Sequence, residues 1–134
     1  MSFNTNTVQR DGHVDWTYPG GAKYIGEVYE GIPNGYGMYI FQNGDIYVGQ
    51  WREGKPNGYG VTTSPDGTKH VGEYKNGEPS GPGVLTLPDG RKFEGTFRDN
   101  DICGYGSMTL PSGEKLRGLF VEGEFIAVGV DKVR

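Results

Sequence analysis

Apolar and polar positions alternate along most of the chain, and the alternation restarts at a fixed interval. In Tyr47-Val48-Gly49-Gln50-Trp51, residues 47, 49 and 51 share one face of a strand and residues 48 and 50 the other, because successive side chains in a strand point to opposite sides. The same stretch returns every 23 residues, as Tyr24/Gly26/Val28, His70/Gly72/Tyr74, Phe93/Gly95/Phe97 and Leu116/Gly118/Phe120. A Gly-, Pro-, Lys- and Glu-rich segment over residues 52–57 reads as a loop, and Gly58-Tyr59-Gly60 opens a second strand through residue 64. Its positions in register with Gly60 are Thr62 and Ser64, matched elsewhere by Tyr39/Phe41, Leu85/Leu87 and Met108/Leu110. Asn43-Gly44, Asp66-Gly67 and Asp89-Gly90 then mark the passage to the next unit; such pairs accept positive φ and favour tight hairpins.

Each unit is therefore predicted as strand, loop, strand and turn. The expected fold is all-β, a single-layer antiparallel β-hairpin meander or solenoid that lengthens by about 9–10 Å per unit. Residues 1–11 read as a flexible arm, 12–20 as the second half of a repeat, and 21–43, 44–66, 67–89 and 90–112 as full repeats. Residues 113–134 form a partial repeat, as expected of a unit that caps a stack. Glycine in mid-strand often marks a close approach or a bend, so Gly49 and its equivalents predict a curved sheet with rings folded onto its glycines. Terminal edges are expected near residues 14–18 and 125–133, and a homodimer through Phe125, Ile126, Val128 and Val130, the longer apolar run.

The order Tyr-x-Gly-x-Trp, then Gly, then Gly-x-Gly, at this period, resembles the MORN repeat (membrane occupation and recognition nexus). Tyr47, Gly49, Trp51, Gly54, Gly58, Gly60 and Asp66-Gly67 carry the likeness, which spans roughly residues 12–130. Val28, His70 and Leu116 stand where that family has aromatics, and Asn100 where it has glycine. The resemblance implies non-catalytic modules for protein binding, scaffolding, dimerisation or membrane association, some of them attached to enzymes.

Composition narrows the function. Of 134 residues 25 are glycine, only 34% are hydrophobic, and the net charge is −4. A stack of repeats tolerates a thin core because each unit buries its apolar side against its neighbours. The acidic balance argues against nucleic acid, whose binders carry basic patches. The lone Cys103 permits no internal disulfide, and no secretory signal or membrane-length apolar run is present, so a cytoplasmic setting is expected.

No catalytic set, metal site or cofactor is expected. His70 occupies an aromatic column and reads as a ring substitute, and the only other histidine is His13. The Gly-x-Gly pairs precede no helix and lack a phosphate loop's third glycine. Glu27, Glu73 and Glu94 are not paired as an acid and base would be. Cys103 shares a loop column with Asn34, Asn57 and Ser80. What remains is the ring face. Tyr24, Tyr39, Tyr47, Trp51, His70, Tyr74, Phe93, Phe97 and Phe120 are expected to line a curved groove for a protein or peptide segment, thinned at Thr62 and Ser64. A single sheet would leave such a strip exposed, and exposed apolar strips mark binding sites. Lys69, Lys75, Arg91, Lys92 and Arg98 supply an alternative, association with membrane lipid or phosphoinositide; a regulatory or targeting subunit of an enzyme is the other.

Overall fold

The computed structural model describes residues 11–130, with side chains through residue 129. Its strands are β1 (Gly12–Thr17), β2 (Lys23–Tyr29), β3 (Ile32–Ile40), β4 (Ile46–Arg52), β5 (Lys55–Thr63), β6 (Lys69–Lys75), β7 (Glu78–Thr86), β8 (Lys92–Arg98), β9 (Asp101–Thr109), β10 (Lys115–Val121) and β11 (Glu124–Val130). They form one open sheet in sequence order, each strand antiparallel to the next. Of the expected arm, residues 1–10 lie outside the described residues. Asp11 is inside them, and its carboxylate accepts the Glu30 backbone N–H at 2.8 Å.

The turns fall differently from the sequence expectation. Residues 52–57 are not a loop. Only Glu53 and Gly54 separate β4 from β5, and both have positive φ, 51° and 85°. That is what a two-residue type I′ hairpin requires. Glu30-Gly31, Asn76-Gly77, Asp99-Asn100 and Glu122-Gly123 repeat it. Asn100 takes the glycine position because Asn tolerates left-handed backbone better than other side chains. The Asp-Gly pairs sit instead in five-residue connections. At residues 64–68, Gly67 N–H donates to the Ser64 carbonyl at 2.9 Å and Asp66 Oδ1 accepts the Thr68 N–H at 2.8 Å. Pro65 and Asp66 suit the centre of a type I turn, and only the glycine after them has positive φ.

The hairpin tips are tied from one repeat to the next. Gly54 N–H donates to the Pro33 carbonyl and Gly77 N–H to the Pro56 carbonyl. Asn34 and Asn57 accept the N–H groups of Glu53 and Asn76. The column that reads as loop in the sequence therefore stitches neighbouring repeats together.

The strand register aligns one glycine from each of β2 to β8 into a continuous line: Gly26–Gly37–Gly49–Gly60–Gly72–Gly83–Gly95. Two of these show why glycine is needed. A Cβ on Gly49 would come within 2.5 Å of the Gly60 Cα, and one on Gly60 within 2.4 Å of Tyr47 Cε1. The Tyr47 ring lies over this furrow, and its Oη donates to the Gln50 carbonyl at 2.7 Å. Tyr24 Oη does the same to Glu27 at 2.6 Å. The sequence expectation of rings folded onto strand glycines holds.

Candidate functional site

The nine residues expected to line a groove are placed together on one sheet face, and that face is the core. Tyr24, Tyr47, Trp51, His70, Tyr74, Phe97 and Phe120 are buried, Tyr24 at 0% exposure; Tyr39 and Phe93 are half-buried. The expectation that one layer leaves the strip open is overturned by ring-on-ring packing. Edge-to-face contacts run from Tyr24–Trp51 (5.1 Å) through Tyr47–Trp51 (5.4 Å) and Tyr47–Tyr74 (4.9 Å) to His70–Tyr74 (5.0 Å) and His70–Phe97 (4.7 Å). Such geometry is favoured by the ring quadrupole. Trp51 Nε1 donates to the Gly37 carbonyl at 3.0 Å. Burial pushes the Tyr24 and Tyr47 hydroxyls well above the usual tyrosine range. Seven of the nine rings therefore offer little surface to a partner, and Tyr39 and Phe93 offer part of theirs.

The thinned middle of this face is filled as well. Thr62 Oγ1 and His70 Nδ1 both hydrogen-bond Tyr74 Oη, His70 at 2.7 Å. His70 Nε2 is buried without a partner, and burial lowers the imidazole pKa below its ordinary value. Farther on, Phe93, Phe120 and Phe125 form a second ring cluster. Beside it Leu85, Leu87 and Met108 border a small cleft of about 440 Å³. Of the expected association edge, Phe125 is half-buried there, whereas Ile126 and Val128 are exposed. The Val130 side chain lies outside the described residues.

The open surface is the opposite face. Tyr36, Tyr59 and Tyr105, each between the two glycines of a Gly-x-Gly, are 65%, 63% and 80% exposed. Alternation sends them away from the rings, a signal already present in the sequence as the residue between each pair of glycines. The bulge before each tyrosine sets its position: Gly58 has φ 96°, and Gln50 Oε1 accepts the Tyr59 N–H at 2.7 Å. Glu27 Oε1 does this for Tyr36. In the next repeat the residue is Pro82, which has no N–H to offer.

Three rows run across the strands of this face. Cross-strand partners Val48, Val61, Val71, Val84 and Glu94 form the middle row. Tyr59, Pro82 and Tyr105 stand on one side of it, one per repeat. On the other side threonines and lysines alternate in register, Thr63–Lys69–Thr86–Lys92–Thr109–Lys115. Between β5 and β11 the face encloses a groove of about 990 Å³, lined by Tyr59, Val71, Pro82, Val84 and Tyr105 among others. Lys115 pairs there with Glu94 at 3.4 Å. Among the described residues no three His, Cys, Asp or Glu side chains converge to hold a metal ion.

An open single sheet of hairpin repeats, with a ring core on one face and a groove on the other, defines a one-dimensional repeat protein. The profile of the MORN repeat matches residues 24–46, 47–69, 70–90 and 93–115, and the chain belongs to the MORN-repeat family. No curated protein matches it. Among solved structures it is similar to the TCP10 domain of Danio rerio CPAP in complex with a peptide of STIL, at 20% identity and a TM-score of 0.37. That likeness covers 92% of this chain but spans only 62% of the other. It is also similar to the SAS-4 (dCPAP) TCP domain of Drosophila melanogaster in complex with a proline-rich motif of Ana2, at 15% identity and a TM-score of 0.37, covering 95% of this chain and 88% of that one.

Proposed function

We propose that the chain is a non-catalytic protein-interaction module that seats an extended partner segment in the groove of the face opposite the rings. The supporting observation is the row of tyrosines held largely in solvent by the Gly-x-Gly bulges. Tyrosine is intermediate in its tendency to be buried and is among the residues that anchor interfaces. The core is supplied by the opposite face. The groove carries apolar floor, aromatic margin and the charged residues Glu94, Lys115 and Arg117, the mixture found at protein contacts.

Affinity capture with the whole chain as bait tests the reading. The double variant Tyr59→Ala, Tyr105→Ala is expected to lose most of the protein that the unaltered chain retains, with its circular dichroism unchanged. Retention of the same proteins at the same level by the folded variant would refute it.

A further inference from the structure

We propose that the segment seated in this groove is an acidic polyproline-II stretch, with its carboxylates on the lysine row and its prolines against the tyrosine row. The inference rests on the groove being a docking site and specifies the chemistry of what fits it.

The first ground is charge. The chain as a whole is net negative, −4, yet Lys69, Lys92 and Lys115 stand in one row, one per repeat, with threonine hydroxyls between them. Lys115, paired with Glu94, and Arg117 line the groove itself, and Lys69 and Lys92 extend its positive side along the margin, in the cross-strand row beside it. Glu73 is the cross-strand neighbour of Tyr59 on the far margin. Its like charge turns carboxylates away from the tyrosines and toward the lysines. Complementary potentials of this kind fix register and orientation.

The second ground is spacing. Strands stand about 4.8 Å apart, so equivalent residues of successive two-strand repeats recur at about 9.5 Å. A polyproline-II helix has three residues per turn and rises about 3.1 Å per residue, so every third side chain recurs at about 9.3 Å. The two periods stay in step across several repeats. Side chains on one face of a β-strand recur at about 6.7 Å, and an α-helix has a pitch of about 5.4 Å, so neither does. From β5 to β11 the groove spans six strand spacings, about 29 Å, which takes about nine such residues. One of the three faces of the ligand helix then meets Lys69 and Lys92. A second meets Tyr59, Pro82 and Tyr105, an aromatic-lined surface of the type that receives proline-rich segments. The third faces water.

The test is fluorescence anisotropy of a labelled peptide of five Glu-Pro-Pro triplets titrated with the whole chain. Saturable binding that weakens with salt is expected. The variant Lys69→Glu, Lys92→Glu should lose about tenfold or more in affinity, and Tyr59→Ala a comparable factor with the salt dependence retained. Peptides of five Lys-Pro-Pro or five Glu-Gly-Ser triplets should each bind about tenfold or more weakly, the first for charge and the second for lack of a preformed helix. Absence of saturable binding, or equal binding of either control peptide, overturns the proposal. So does flotation with phosphatidylserine-containing vesicles through the same two lysines without peptide binding, which would make the row a membrane contact. If the peptide fails while the tyrosine double variant still loses captured protein, the docking site stands and its ligand is of another class.

Discussion

At the level of single residues, the furrow glycines and His70 have the sharpest consequences. Gly60→Ala would place a methyl group into the Tyr47 ring, within 2.6 Å of its Cε1, Cζ and Oη. The ring cannot easily retreat, because it is held by its bond to the Gln50 carbonyl. Overpacking at such a site costs about 1–3 kcal/mol, so the urea midpoint of Gly60→Ala should fall with the slope unchanged. An unaltered midpoint would mean that the furrow is not closed. His70 is buried, and burial lowers its pKa below the ordinary histidine value. Protons therefore bind the unfolded chain more readily than the folded one. Stability is full above the ordinary histidine value of 6.5 and declines as pH falls through it. Asp66 and Asp89, whose backbone hydrogen bonds hold their pKa values down, act only at lower pH, below the ordinary 3.8. Thermal melts between about pH 7.5 and 5 should show this loss, and His70→Phe should flatten it. An equally steep profile in that variant would assign the dependence to another group.

Among the elements, the two kinds of hairpin connection differ in how well the sequence suits them. The five-residue turns at residues 64–68 and 87–91 have Pro and Asp where a type I turn accepts them. The tight turns carry Glu30, Glu53 and Glu122 at positive φ, where a side chain other than Asn or Asp is strained. Glu53→Asn supplies the favoured residue for a type I′ turn without touching either sheet face. It is expected to raise stability by up to about 1 kcal/mol, read as a higher melting temperature. A fall would show that Glu53 makes a contact worth more than the strain. This is also where the sequence was hardest to read. Residues 52–57 look like a loop because Gly, Pro, Lys and Glu are poor strand formers. They continue the ladder because the turn at Glu53-Gly54 fixes the register, and because bonds such as Gly77 N–H to Pro56 tie the tips of adjacent repeats.

In the molecule as a whole, stacking leaves a strand at each end with one side unpaired among the described residues. The β1 end is not the apolar liability its sequence implies: Trp16 is buried against Tyr24, and Tyr18 packs on Tyr39. At β11, Ile126 and Val128 are exposed, and unpaired edges with apolar side chains associate. A two-fold dimer joining β11 to its copy is the expected assembly. Sedimentation velocity of the whole chain at tens of micromolar should show it, and Ile126→Lys should shift it to monomer, since an edge lysine opposes pairing. A monomer without the substitution would exclude this contact.

The sequence by itself determined the repeat, its period, the strand alternation, the antiparallel order and the columns of rings over glycines. These are local: period two in a strand, glycine where rings must approach the backbone, and a length of unit that leaves no choice of connection. Tertiary structure decided which face is free. Seen as columns, Trp51, Tyr74 and Phe97 look like an open aromatic groove, because nothing in one strand says how far its rings reach. Only the register, which places Tyr24 against Trp51 and His70 against Phe97, shows that the rings cover one another. The same register gathers Tyr59, Pro82 and Tyr105 into a row and sets lysines between threonines. Those residues are dispersed along the chain, and cross-strand pairing makes them neighbours.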